Sequence, residues 1–279
     1  MILDSLKEAL ARMADTPVLW LTGLYLGGLF ALDILLEAGG LTVLGARVGF
    51  LGLCALPFFL GGSNGALRGE EPGFRGYIAA GARYYFRILV AGAVIVSAAF
   101  FTVFLAMIPA TLLGGTLPEA LTFSFIGVSV PFLFFTFFYD TAVVFENRKV
   151  LDSIRRSVEF VIRNPGKAVA FYLTNLAIGF AILFVSVIVW SASIADRLQP
   201  LADMNQTFIA NMNMTAEQVV SLIGVPGLRA GAVIGFFAVW IGGTLLVSFK
   251  ACFFRRAIAV SAAPPVQGEF DEKGRWYRY

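Results

Sequence analysis

Four ionisable residues fall within otherwise apolar runs of this chain: Asp33, Glu37, Arg47 and Asp140. A charge inside hydrocarbon is costly, so such residues pair with each other, line a wet cavity or meet a substrate. Asp33 lies about seven residues before Gly39-Gly40 and Arg47 about seven after it. That spacing puts both at similar depth across an antiparallel helical hairpin, with Glu37 one turn nearer the outer surface. An ion pair that fixes the hairpin is the plainer expectation. The alternative is a polar notch, open to the outer side, that accepts an ion or a lipid headgroup. Asp140 follows the run FLFFTFF. It is expected to reach Arg148 through water, to pair with a basic side chain from residues 74–87, or to meet a substrate.

Other chemistry finds little material. Histidine is absent, which removes the commonest general base and metal ligand. Cys54 and Cys252 have no metal-type spacing and imply no disulfide framework. Met204, Met212 and Met214 could offer thioethers to copper(I), but without His or Cys nearby they are expected to pack a loop. No P-loop, G-x-G-x-x-G, H-E-x-x-H or Ser-His pair occurs. The sequence therefore assigns no catalytic residue, no cofactor and no metal site, and an enzyme ranks behind the other function classes.

The elements that would carry these charges follow from composition. The chain of 279 residues is 58% hydrophobic and 14% charged, with 28 Phe and a mean hydropathy of +0.81. That is the composition of a membrane protein. A hydrocarbon layer about 30 Å thick takes about 20 helical residues to cross. Six runs meet that length: 18–38, 41–61, 88–113, 121–145, 168–192 and 230–249. The expected fold is all-α and polytopic.

Basic residues in short loops stay cytoplasmic. Of the 21 Lys and Arg, 18 fall on the side of the N-terminus, leaving Arg47, Arg197 and Arg229 opposite. Both termini are expected to be cytoplasmic. The net charge of +3 then reports topology and a headgroup surface rather than nucleic-acid binding. The first apolar run carries Asp33 and ends in LLEAGG, so it reads as a retained span rather than a cleaved signal.

Between the fourth and fifth runs lies VFENRKVLDSIRRSVEFVIRNP, residues 144–165. At about 100° per residue, Val150, Leu151, Ile154, Val158, Val161 and Ile162 share about one third of a helix, and only Phe160 breaks the pattern. This predicts an amphipathic helix in the cytoplasmic interface, ended by Asn164-Pro165. Residues 1–15 repeat the device, with Ile2, Leu3, Leu6, Ala9, Leu10 and Met13 on one face. LDSL at 3–6 matches LDSI at 151–154, and Pro17 matches Pro165, at a constant offset of 148. A weaker third copy spans 74–87, where Phe74, Tyr77, Ile78, Gly81, Tyr84 and Tyr85 oppose Arg75 and Arg83. Together these predict three units, 1–65, 66–147 and 148–258, each an interfacial helix followed by a hairpin. Residues 259–279 form a flexible cytoplasmic tail. The interfacial helices would present a basic surface of Arg75, Arg83, Arg148, Lys149, Arg155, Arg156 and Arg163.

Small residues four apart, at Gly23 and Gly27, Gly45 and Gly49, and Gly231 and Gly235, predict close packing among the first, second and sixth spans. Pro109 and Pro131 are candidate kinks. In the long outer connection 193–229, Thr215 and Gln218 form a capping box for a short helix ending at Gly224. Asn205 and Asn213 head glycosylation sequons there.

The run YDTAVVFENRKVLDSIRRSVEFVIRNP resembles a pattern in uncharacterised multipass proteins of archaea and bacteria, including the membrane domain fused to some glycerophosphodiester phosphodiesterases. There an acidic residue, here Glu146, ends a span, and a basic amphipathic helix with serines follows, here Ser153 to Ser157. The resemblance implies six spans and a module that works beside lipids or partner proteins. It implies no phosphodiesterase activity, because that requires a further soluble domain and histidine chemistry.

Two function classes follow. One is a lipid-associated scaffold or accessory module in the cell membrane, with membrane lipids or a membrane protein as partners and no nucleic acid. The other is a transporter or channel for a small solute or lipid, working through Asp33, Arg47 and Asp140. Few polar residues besides Asn175 lie near mid-membrane, which favours the first. The sequence leaves the oligomeric state open.

Overall fold

The computed structural model describes residues 1–69, 73–112, 117–196, 199, 216–262, 268–270 and 276–278. In hydrocarbon every backbone polar group must be satisfied within its own segment, and each long apolar run is accordingly helical. Among the described residues, six helical stretches are long and apolar enough to cross a membrane: Pro17–Ala38, Thr42–Arg68, Gly73–Pro109, Leu121–Phe145, Pro165–Ser193 and Ile223–Ala259. They are the six that the sequence predicts, most of them longer.

The helices are α1 (Ile2–Asp15), α2 (Trp20–Ala38), α3 (Thr42–Arg68), α4 (Gly73–Leu112), α5 (Leu117–Thr136), α6 (Tyr139–Phe145), α7 (Val150–Arg163), α8 (Pro165–Ser193) and α9 (Ala216–Ala262). Their spans make three hairpins, α2 with α3, α4 with α5 and α8 with α9. Because α9 also packs on α2 and α3 on α4, the hairpins run round an incomplete ring in the order α8, α9, α2, α3, α4, α5. The short helix α6 enters the ring and touches α3, α4, α7 and α9. We call the end that carries α1 and α7 the base.

Close backbone approach explains the two tightest seams. A Cβ on Gly23 would collide with the Trp240 carbonyl, and one on Gly235 with the Phe30 ring. Those two seats join the first and sixth spans, as their spacing predicts. Gly49 meets nothing within 4 Å, however, and Gly231 faces Trp190 of α8. The α3–α4 seam is built on Gly61, Gly62 and Gly65, where the Tyr77 ring and the Ala80 methyl occupy the space of missing side chains.

Helices α1 and α7 are separate from the spans that follow them. Each ends on a residue with a non-helical backbone, Thr16 (φ −127°, ψ 84°) and Asn164 (φ −132°, ψ 50°), and each is followed by a proline. These ends lie at the offset of 148. Residues 74–87 differ: no proline interrupts them, and they run straight into the span as the first turns of α4.

The inward faces of α1 and α7 also differ from the apolar faces read from periodicity. Ser5, Ala9 and Met13 are buried on α1, while Leu3 is 68% exposed. Ser153, Ser157, Phe160 and Val161 are buried on α7, while Leu151 is 69% and Ile162 63% exposed. Phe160, which breaks the periodic pattern, is thus a core residue. On α7 the buried stripe is rotated by roughly a quarter turn from the expected one. The two sets overlap at Ala9, Met13 and Val161, and the shift brings in Ser5, Ser153 and Ser157, small polar residues that allow close docking.

The core lies at the base. Phe138, Phe160, Phe171, Phe249, Phe253 and Phe254 are all buried in one cluster. Farther up, no residue of α8 from 172 to 193 is buried. Helix α9 is interrupted at Gly224 (φ 62°, ψ −179°), where the sequence predicts the end of a short helix; the capping Thr215 and the three loop methionines lie outside the described residues. In the tail, Gly268–Phe270 and Trp276–Arg278 pair as an antiparallel two-stranded ribbon, an element that the sequence reading did not foresee.

Candidate functional site

The fourth span is broken at Phe137 and Phe138, between α5 and α6. The break is held from outside by Ser157 of α7, whose Oγ accepts the Phe138 N–H at 3.0 Å and donates to the Phe135 carbonyl at 2.8 Å. A buried serine therefore satisfies two backbone groups that a continuous helix would have paired internally. The break turns α6 inward and carries Asp140 with it.

Asp140 is completely buried. Its Oδ2 accepts from Lys250 Nζ of α9 at 2.6 Å and, more weakly, from Asn64 Nδ2 of α3 at 3.4 Å. The side chains of Asp140 and Lys250 are 1% and 7% exposed. Lys250 Nζ also stands 4.7 Å from the centre of the Phe137 ring, a cation–π contact strengthened by the dry surroundings. Asp140 Oδ1, Asn64 Oδ1 and Ser248 Oγ have no hydrogen-bond partner. One ion pair thus joins the broken fourth span to the sixth, and Asn64 ties in the second.

Beside Asn64 lies a hydroxyl knot. Thr22 Oγ1 is 2.6 Å from Ser63 Oγ and 2.9 Å from Tyr77 OH, and it donates to the Phe59 carbonyl at 3.0 Å. This links α2, α3 and α4. The run GGSNG, residues 61–65, serves both clusters: its glycines admit Tyr77 and Ala80, and its Ser63 and Asn64 point into the two polar sets.

Around the base a ring of ion pairs fastens the amphipathic helices. Glu146 accepts from Arg156 at 2.8 Å and from Arg148 at 3.1 Å. Glu8 of α1 pairs with Arg255 and Arg256 at the end of α9. Arg87 Nη1 donates to Asn147 Oδ1 at 2.7 Å, which holds a turn where Asn147 has φ 51°.

The structure corrects the expected intramembrane site. Asp33, Glu37 and Arg47 are exposed, and among the described residues no ion pair joins Asp33 to Arg47. Their depths match but their directions do not. Gly45 of α3 faces α2, with the Asp33 Oδ1 3.2 Å from where its Cβ would be, so Arg47, two residues on and about 200° round the helix, points away. Nor does Asp140 belong with them. Seventeen residues of α3 separate Arg47 from Asn64, about 25 Å along a helix. Asp140 does pair, but with Lys250 rather than with Arg148 or the 74–87 segment.

The expected basic surface is reduced in the same way. Arg75, Arg83, Arg148, Lys149, Arg155 and Arg163 are exposed, Arg148 and Arg155 in ion pairs with Glu146 and Glu159, while Arg156 is half-buried against Glu146. Lys250, which falls among the basic residues leading into the tail, is a core residue. Sequence reasoning missed it along with Asn64, Ser157, Thr22, Ser63 and Tyr77. The available signals were the polar run inside GGSNG and the isolation of Lys250 within LLVSFKACFF, four residues short of Phe254 and its arginines.

The arrangement is electrically neutral and enclosed, which suits it to hold helices together. Most of the described cavities are apolar furrows on the outside, while one of about 630 Å³ is lined by Arg87, Lys149, Val150, Leu151 and Asp152. One of about 470 Å³ lies between α8 and α9 and is lined by Ile182, Val185, Val189, Ile234, Phe237 and other residues, a lining suited to hydrocarbon. The chain matches no family model, no curated protein and no solved structure.

Proposed function

We propose that this chain is a lipid-associated scaffold or accessory module of the cell membrane, with both termini cytoplasmic. The observation that carries this reading is the placement of α1 and α7. Both are docked by buried Ser, Ala and aromatic positions, which leaves Leu3, Leu10, Leu151 and Ile162 outward beside Lys7, Arg155 and Arg163. Apolar side chains next to basic ones, at the ends of spans, suit the headgroup layer of an anionic leaflet. The resemblance of residues 139–165 to multipass membrane domains supports the same role.

The test is native mass spectrometry of the protein from nanodiscs that contain anionic and zwitterionic phospholipids together. Selective retention of anionic lipid, reduced by Lys7→Glu with Arg155→Glu and Arg163→Glu, is the expected result. Bare protein from every mixture would overturn it. Labelling of Lys7→Cys only from the cytoplasmic side checks the orientation.

A second reading, a transporter of a small solute or lipid, draws on one observation: the carboxylate of Asp140 sits within a span and leaves one oxygen without a partner. With Asp33, Glu37 and Arg47 distant, that reading rests on Asp140 alone. Solute flux into proteoliposomes that disappears on Asp140→Asn, with the bundle still folded, would favour it over the scaffold.

A further inference from the structure

Two of the three seams between neighbouring hairpins are closed on glycine, α9 against α2 and α3 against α4. The third, between α5 and α8, is closed only at its foot. There Tyr172 OH donates to the Phe134 carbonyl at 2.7 Å, and the two rings stand 4.8 Å apart. Above this contact α5 and α8 run in opposite directions, so residues at equal steps from Phe134 and Tyr172 lie on the helix faces that carry those two rings. Four steps away are Val130 and Leu176, seven steps away Gly127 and Gly179, and eleven steps away Phe123 and Leu183. Steps of four, seven and eleven hold one face of a helix.

Both faces are apolar and open. Val130, Leu176, Phe123 and Leu183 are 61%, 69%, 77% and 60% exposed. A Cβ on Gly127 or on Gly179 would meet nothing within 4 Å, in contrast to the crowded glycines of the closed seams. A hinge stands where such a seam needs one. Pro131 lies inside α5, and its missing N–H leaves the Gly127 carbonyl without its helical partner, directly above the Phe134 contact. Between 121 and 136 on α5 and between 173 and 193 on α8 there is no Asp, Glu, Lys or Arg.

We propose that α5 above Pro131, with the adjoining half of α4, is a lateral gate that swings about the Phe134–Tyr172 contact and closes on α8 by seating Gly127 against Gly179. The structure holds the gate open. Its floor is Phe134, Phe137 and Tyr172, and behind Phe137 stands the Lys250–Asp140 pair. Open, the gate exposes that floor to the hydrocarbon layer; closed, it completes the ring of six spans. The inference holds for a scaffold or a transporter alike, because it concerns only the motion of this hairpin.

The test uses the full chain in nanodiscs with Cys54→Ala, the buried Cys252 retained, and the pair Gly127→Cys with Gly179→Cys. Both positions are open in the structure, so the substitutions leave the fold intact. Mild oxidation should join the pair in most of the protein, since a disulfide forms only when the Cα atoms approach to within about 7 Å. Phe125→Cys with Gly179→Cys, on the opposite side of α5, should stay unjoined. Spin labels on the 127 and 179 cysteines should show a short-distance population beside a long one. A single long distance with no disulfide, in fluid membranes of every composition tried, would overturn the gate. So would equal disulfide yield in the 125 and 127 pairs.

Discussion

The base and the far half of this molecule are built from the same kinds of helix, yet they are held differently. At the base, Asp140, Lys250 and Asn64, the Ser157 clasp and six buried phenylalanines converge from α3, α6, α7, α8 and α9. In the far half, α8 has no buried residue from 172 to 193, α5 has only Ser124 buried between 121 and 135, and the charges Asp33, Glu37 and Arg47 lie exposed. The contrast teaches where a membrane bundle invests its polar groups. Without a hydrophobic drive between helices in lipid, cohesion comes from close packing and buried polar contacts, and this chain gathers most of the buried polar contacts at one end while glycine seats such as Gly235 on Phe30 continue farther up.

The sharpest way to break the contrast is to leave a buried charge alone at the base. Lys250→Met should cost about 3–5 kcal/mol, because Asp140 would stay ionised or be forced neutral without its partner. Reversible unfolding in a fixed detergent mixture measures it. Ser157→Ala should cost about 1–3 kcal/mol, by stranding the Phe138 N–H and the Phe135 carbonyl in a dry interior. Gly65→Leu should cost a similar amount, about 1–3 kcal/mol, since Ala80 already fills the space. At the open seam the sign reverses: Gly127→Ala and Gly179→Ala should each stabilise by up to about 1 kcal/mol, because nothing is displaced and helical glycine is intrinsically unfavourable. The smallest effect belongs to Asp33→Asn, expected within about 0.5 kcal/mol of the parent because its carboxylate is exposed and unpaired with Arg47.

The same contrast explains what could be read from the sequence. The six spans were legible because hydrocarbon thickness fixes helix length, and the Gly23, Gly27 and Gly235 contacts because backbone approach demands small residues. That Asp140 must pair was legible from its cost. Its partner was not, because Lys250 comes shortly before Arg255 and Arg256 and reads as part of a cytoplasmic cluster; only the three-dimensional break at Phe137 and Phe138 brings it opposite Asp140. The Asp33–Arg47 expectation failed because residue spacing gives depth and leaves direction round the helix undetermined until Gly45 is seen to face α2. Helices α1 and α7 were legible as amphipathic segments, but their buried stripes are rotated from the apolar faces because Ser5, Ser153 and Ser157 join Ala9, Met13, Phe160 and Val161 in the docking.

The claim on which the rest depends is that the Asp140–Lys250 pair fastens the base. A double-mutant cycle of Asp140→Asn and Lys250→Met, followed by unfolding in one detergent mixture, tests it most directly. The account predicts that the double variant is more stable than the two single losses summed would allow, by more than about 1 kcal/mol, as contact between buried partners requires. Single losses that simply add would contradict it and leave the two charges as independent occupants of the same interior.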